Sequence, residues 1–67
     1  MAGIELNPAD KAILDVLQEE HQSVPARIAE QTEYDRQYVH KRLKRLAEHG
    51  VVESVGHGLY REATEEN

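Results

Sequence analysis

The absence of cysteine from a chain of only 67 residues is the feature that most limits its possible folds. Without thiols the chain has neither disulfides nor cysteine-bound zinc to stabilise it. A domain of this length buries only about 60% of the surface that its unfolded chain exposes, so its core is small. We therefore expect a single domain that depends on close helix packing or on association with a second copy.

The first helix is indicated by the start signals Asn7 and Pro8. Asparagine is a favoured N-cap, and proline is favoured at the first helical position. Asp10 then places a negative charge near the positive end of the helix dipole. Apolar residues recur at helical spacing as far as Leu17, so the pattern predicts a helix over 8–21.

A second, shorter helix is predicted over 25–32, because Pro25 can begin a helix but not continue one. Ile28 and Ala29 form its expected buried side. Two turns of helix are unstable alone, so packing must hold this element in place. The preceding residues, 22–24, are candidates for a short strand that pairs with a later one.

The third helix is predicted over 35–49, with Asp35 as N-cap and Gly50 just beyond its end. Its apolar residues, Val39, Leu43 and Leu46, recur at i, i+4 and i+7. This spacing places them in one stripe that faces the core.

Two short segments typical of β-strands follow the third helix: 51–55, which is rich in β-branched valine, and 59–61. The glycine-rich turn 56–58 separates them. They predict a β-hairpin. The expected fold class is α+β and mostly α: three helices, a C-terminal hairpin and a possible short third strand. The domain is expected to cover 1–62, with 63–67 as a mobile acidic tail.

Charge is distributed unevenly along the chain. The formal net charge is −5, yet residues 35–49 hold five of the eight basic side chains. A basic element on an acidic body is typical of nucleic-acid binding. On a helical projection, the face opposite the apolar stripe carries Gln37, Lys41 and Lys44, with Arg45 beside them.

This face has the chemistry that the major groove of duplex DNA requires. Arginine and lysine pair with guanine and glutamine with adenine, whereas cations farther along a helix reach phosphate. The candidate DNA-binding residues on the helix are Arg36, Gln37, Tyr38, His40, Lys41, Lys44 and Arg45. Three weaker candidates for phosphate or minor-groove contact lie elsewhere: Arg27, His57 and Arg61.

Five segments carry a resemblance to a known family: 25–32, 34–35, 38–46, 48–52 and 56–60. They resemble the winged-helix regulators of halophilic archaea, of the halophage phi-H repressor type, within the broader MarR- and ArsR-like group. The resemblance implies a winged helix-turn-helix transcriptional regulator whose third helix enters the major groove and whose hairpin, 51–61, is the wing.

The same resemblance implies a homodimer, for which Leu14 and the residues before Asn7 are the expected surface. The chain departs from the family pattern in two places. Glu33 stands where a glycine is common, and the chain ends soon after the wing without a longer dimerisation helix.

Composition agrees with a halophilic, archaeal source. An acidic surplus, five arginines against three lysines, and the lack of Phe and Trp are typical of proteins from salt-loving organisms. In such cells salt screens the repulsion between like surface charges. No signal peptide or membrane-spanning run is visible, so we expect the protein in the cytoplasm.

An enzyme is not expected, because the chain has no nucleophile–base pair, no paired carboxylates and no phosphate-binding loop. No cofactor, small-molecule substrate or metal is expected either, since the four histidines lack the spacing of zinc ligands. The favoured function is sequence-specific, duplex-DNA-binding repression of transcription. The alternative is a winged-helix module that binds proteins in a transcription or replication assembly.

Overall fold

The computed structural model describes residues 5–63. Its elements are α1 (Pro8–Glu20), α2 (Pro25–Thr32), α3 (Arg36–Glu48), β1 (Val52–Gly56) and β2 (Leu59–Glu62). Three helices followed by a two-stranded antiparallel sheet confirm the predicted fold class. None of the described helices is long and apolar enough to cross a membrane.

The start of α1 is fixed by two reciprocal hydrogen bonds. The Asp10 backbone N–H donates to the Asn7 side-chain oxygen at 2.7 Å, and the Asn7 N–H donates to the Asp10 carboxylate at 3.1 Å. Such a capping box satisfies two amides that the helix leaves unpaired. At the other end, His21 adopts a positive φ of 70°, so α1 stops one residue before the predicted end.

α2 has the predicted bounds and ends in a left-handed residue. Glu33 adopts φ 66° and ψ 17°, and its N–H donates to the Ala29 carbonyl. Glycine is common at such a position because a side chain there costs about 1 kcal/mol. The turn into α3 therefore forms with glutamate at the position where the resemblance led us to expect glycine.

The core takes side chains from every element except β2. Its fully buried members are Ile13, Leu17, Ile28, Val39, Leu43, Leu46 and Val52. The apolar stripe of α3 is thus confirmed in full. Of the two residues predicted to form the buried side of α2, Ile28 is completely enclosed and Ala29 is half-buried.

The hairpin turns more tightly than predicted. Its two turn residues, His57 and Gly58, have φ values of 53° and 76°, whereas Gly56 (φ 97°) pairs with Leu59 as the last residue of β1. Positive φ at both central residues is the requirement of a two-residue turn of type I′, and His57 and Gly58 meet it. The register shifts between Ser54 and Gly56.

The possible third strand over 22–24 is reduced to a single bridge. Ser23 and Tyr60 exchange two backbone hydrogen bonds, of 3.0 and 2.8 Å. The pairing cannot continue because the next residues begin α2, and Pro25 has no N–H to donate. This bridge fastens the hairpin to the connection between α1 and α2.

The hairpin is also fastened at its base, where the Ala63 N–H donates to the Val51 carbonyl at 2.9 Å. The remainder of the predicted mobile tail, 64–67, lies outside the described residues.

Candidate nucleic-acid interface

The outward face of α3 is set by its N-cap and by its buried stripe. The Asp35 carboxylate accepts hydrogen bonds from the backbone N–H groups of Gln37 and Tyr38, at 2.9 and 3.4 Å. This confirms Asp35 as the predicted N-cap. Because Val39 and Leu43 are buried beneath the helix, the side chains on its other faces are directed away from the core.

All seven candidate residues of α3 are exposed: Arg36, Gln37, Tyr38, His40, Lys41, Lys44 and Arg45. Within residues 5–63, the four cations of this set form no salt bridge with a carboxylate. The structure therefore brings onto one helix four positive charges that form no salt bridge within residues 5–63, together with the amide of Gln37.

The starts of α2 and α3 border one open groove. Pro25 and Ala26 line it on one side, and Arg36, Gln37 and His40 on the other. Three residues predicted separately as DNA contacts are therefore neighbours beside the first turn of α2. The positive end of the α2 dipole therefore lies beside these basic and amide side chains.

Arg42, the fifth basic residue of α3, has a structural role. Its Nε and Nη2 atoms donate to the two Asp10 oxygens at 2.7 and 2.6 Å. Asp10 is completely buried, and the Arg42 side chain is 19% exposed. This bidentate ion pair connects the start of α1 to the middle of α3.

The ion pair also sets the ionisation of Asp10. Burial alone would raise the pKa of its carboxyl group. The hydrogen bonds from Arg42 and from the Asn7 N–H, together with the charges of Arg42 and Arg45, outweigh burial and hold the pKa below 3.8. The pairing in turn raises the pKa of Arg42. Both groups therefore stay charged at neutral pH.

Asp10 was predicted only to interact with the helix dipole, and its pairing with Arg42 was not predicted. A signal was present, since Asp10, Ile13 and Leu17 are spaced at i, i+3 and i+7 on the side of α1 that faces the core. A carboxylate on a buried stripe requires a cationic partner, and Arg42 flanks the apolar stripe of α3.

Arg27 is exposed but paired. Its guanidinium contacts both Glu20 oxygens, with Nε–Oε1 at 2.9 Å and Nη2–Oε2 at 3.0 Å, and Gln31 donates to Oε2 at 2.7 Å. The hydrogen bond from Arg27 is the main cause of a lowered pKa at Glu20. A phosphate that contacts Arg27 must therefore compete with this carboxylate.

The arginine of the hairpin is also paired with a glutamate. Arg61 Nε donates to Glu53 Oε2 at 2.6 Å across the two strands, and both side chains are about half exposed. His57 lies exposed at the turn, where its ring is available to a ligand. Neither Arg27 nor Arg61 is thus as free as the cations of α3.

Two tyrosines form an exposed pair at the start of α3. The rings of Tyr34 and Tyr38 lie 5.8 Å apart between centroids, tilted by 46°. Asn7 Nδ2 donates to the Tyr38 hydroxyl at 3.3 Å. Tyr38 was a predicted DNA contact, whereas Tyr34 was placed only in the turn, so the pair itself was missed.

Metal ligation finds no support in the part of the chain that the structure describes. No group of three or more His, Cys, Asp or Glu side chains is placed there to hold an ion.

The comparisons with known proteins agree with the architecture. A family model described as winged helix-turn-helix DNA-binding matches residues 6–53, from just before α1 into β1. No curated protein and no solved structure matches the chain. The match covers all three helices and the basic face of α3. On this match and this fold, the chain belongs to the winged helix-turn-helix DNA-binding family.

Proposed function

We propose that this protein is a sequence-specific transcription regulator that binds duplex DNA with α3 in the major groove. One observation carries the proposal. Arg27, Arg42 and Arg61 are each paired with a carboxylate, whereas the other four cations of α3 form no salt bridge within residues 5–63. A helix face that keeps its positive charges free suits a polyanion.

Position along α3 assigns different roles to its residues. Side chains in the first turns of a recognition helix reach base edges, so Arg36, Gln37 and Lys41 are placed to select guanine or adenine. Lys44 and Arg45, farther along, suit phosphate, which fixes the register without carrying sequence information. Tyr38 and His40 flank this face.

The remaining candidates are proposed as contacts to the DNA backbone or, for the hairpin residues, to the minor groove. Arg27 lies on α2, and His57 and Arg61 lie on the hairpin. Both arginines must first leave their glutamate partners. Exposed ion pairs contribute only about 0–1 kcal/mol, so a DNA phosphate can replace either carboxylate at small cost.

Replacing Lys41 with alanine tests this proposal. We expect duplex affinity to fall by about 5- to 150-fold, the loss for one specific base contact, with an unchanged melting temperature. Fluorescence anisotropy with a labelled duplex measures the affinity at several potassium chloride concentrations. Lys11→Ala, which makes the same charge change on an exposed site of α1, is the matched control and is expected to have a much smaller effect.

Equal losses in the two lysine variants would mean that only total charge matters. If the unaltered protein binds no duplex at any salt concentration, the DNA proposal fails. The module that binds proteins in a transcription or replication assembly then becomes the better account.

The oligomeric state, the role as a repressor, the source and the location are inferred from the family resemblance and the composition. We infer a homodimeric repressor in the cytoplasm of a halophilic archaeon. The net charge of −5 supports the halophilic source. Leu14, half-buried on α1, belongs to the proposed dimer surface; residues 1–4 of that surface lie outside the described residues. A dimer would bind half-sites about 10 base pairs apart.

A further inference from the structure

We propose that the exposed pair Tyr34–Tyr38 is a specificity determinant that contacts thymine methyl groups in the major groove. This inference rests on the proposed function of α3 and goes beyond it, since it names a base and adds Tyr34 to the interface.

The tyrosine pair lies at the start of α3. Tyr34 immediately precedes the N-cap of α3, and Tyr38 lies in the first turn of the helix. Tyr38 also borders a shallow groove with Gln37 and Lys41. The rings therefore lie at the end of α3 that reaches base edges, next to the side chains that would hydrogen-bond there.

Both tyrosine side chains are exposed to solvent and do not belong to the core. Among the described residues, only three large apolar side chains are classed as exposed: Tyr34, Tyr38 and Val55. The two tyrosines are 36% and 37% exposed and lie outside the buried core cluster. Two of the three thus lie together at the start of α3, beside the face that we assign to DNA.

The two tyrosine side chains are already held in place in the unbound protein. The rings contact each other at 5.8 Å between centroids, and the hydrogen bond from Asn7 holds the Tyr38 hydroxyl. Tyrosine has few rotatable bonds, and a side chain already held in place loses little entropy on binding. The pair therefore presents an ordered apolar surface.

The chemistry of the groove selects the ligand. The C5-methyl of thymine is the apolar group among the base edges of the major groove, and glutamine pairs with adenine. Gln37 and the tyrosine pair are thus suited to the two bases of an A·T pair, or of neighbouring A·T pairs. We expect A·T preference at the position that faces the start of α3.

Replacement of thymidine by deoxyuridine tests this inference, because it removes only the methyl group. The probe is the duplex recovered from a random pool by the protein, with each thymidine replaced in turn. At one or two positions we expect the affinity of the unaltered protein to fall about fourfold, the effect of one buried methyl group.

Variants assign this effect to the rings. Tyr34→Ala and Tyr38→Ala should bind the thymidine and deoxyuridine duplexes equally at those positions, while Tyr34→Phe, which keeps the ring, should still distinguish them. A pair that only stabilises the start of α3 would lower the melting temperature of the alanine variants without abolishing their sensitivity to the methyl group.

The result that overturns the inference is sequence-specific binding that ignores the methyl group at every position, or methyl sensitivity that persists in both alanine variants. Either result leaves the proposed function of α3 intact. Complete absence of duplex binding is distinguishable from both, because it contradicts the proposed function as well.

Discussion

Replacing Asp10 with alanine is expected to lower the free energy of unfolding by about 3 kcal/mol, a large part of the stability of a domain this small. The substitution leaves the Arg42 side chain, which is 19% exposed, without its counter-charge. It also removes the acceptor for the Asn7 N–H at the start of α1. Urea denaturation followed by circular dichroism measures the loss.

Two controls separate the ion pair from other effects. Asp15→Ala removes an exposed carboxylate from the same helix and should change stability by less than about 0.5 kcal/mol. The double variant Asp10→Leu with Arg42→Leu should recover most of the loss, because apolar side chains can replace a buried ion pair. A cost for Asp10→Ala no larger than that for Asp15→Ala would contradict the structural role of the pair.

The same carboxylate makes stability depend on acid pH. Its folded-state pKa is below the ordinary value of 3.8, so the folded chain holds this proton less tightly than the unfolded chain does. Its contribution is therefore fully present above that value and is lost as pH falls through the folded-state pKa. As pH falls below 3.8 and then through the folded-state pKa, the stability of the unaltered protein should converge on that of Asp10→Asn.

Replacing Leu43 with alanine is expected to cost about 2–5 kcal/mol, through lost burial and the cavity left behind. Leu43 is 0% exposed, and it packs in the core cluster with side chains of α1, α2 and β1. The urea midpoint should fall strongly. Val55→Ala, at an exposed valine of β1, should lose less because its site is open to solvent.

An unchanged urea midpoint for Leu43→Ala would contradict the assignment of the inner face of α3. Lys41→Ala, two residues earlier on the exposed face, should show the opposite behaviour: weak binding and full stability. Together the two variants separate the face of α3 that builds the core from the face that meets DNA.

Local signals explain how much of the fold was predictable. Asp35, Gly50 and the stripe of three apolar residues define α3 through contacts within a few residues of each other, and its bounds follow from them. Pro25 fixes the start of α2 for the same reason. The exposed candidates of α3 were predictable because a helical period alone determines which side chains face away from a buried stripe.

The remaining features depend on contacts between side chains or backbones of different elements. Asp10 and Arg42 are 32 residues apart, and no local pattern pairs them. The partners of Arg27 and Arg61 likewise lie on a neighbouring helix and strand, so these two cations were predicted to be freer than they are. The possible strand over 22–24 is observed as a single bridge between Ser23 and Tyr60, because the length of this pairing depends on how the hairpin docks.

Selection of duplexes from a random pool tests the central claim, that α3 selects DNA sequence, most directly. At molar potassium chloride, counterion release contributes little, so bound duplexes must be held by base contacts and packing. The account predicts enrichment of one defined sequence, altered or lost for Lys41→Ala, with half-sites about 10 base pairs apart if the protein is a dimer. No enrichment by the unaltered protein, at molar or at low salt, would contradict it.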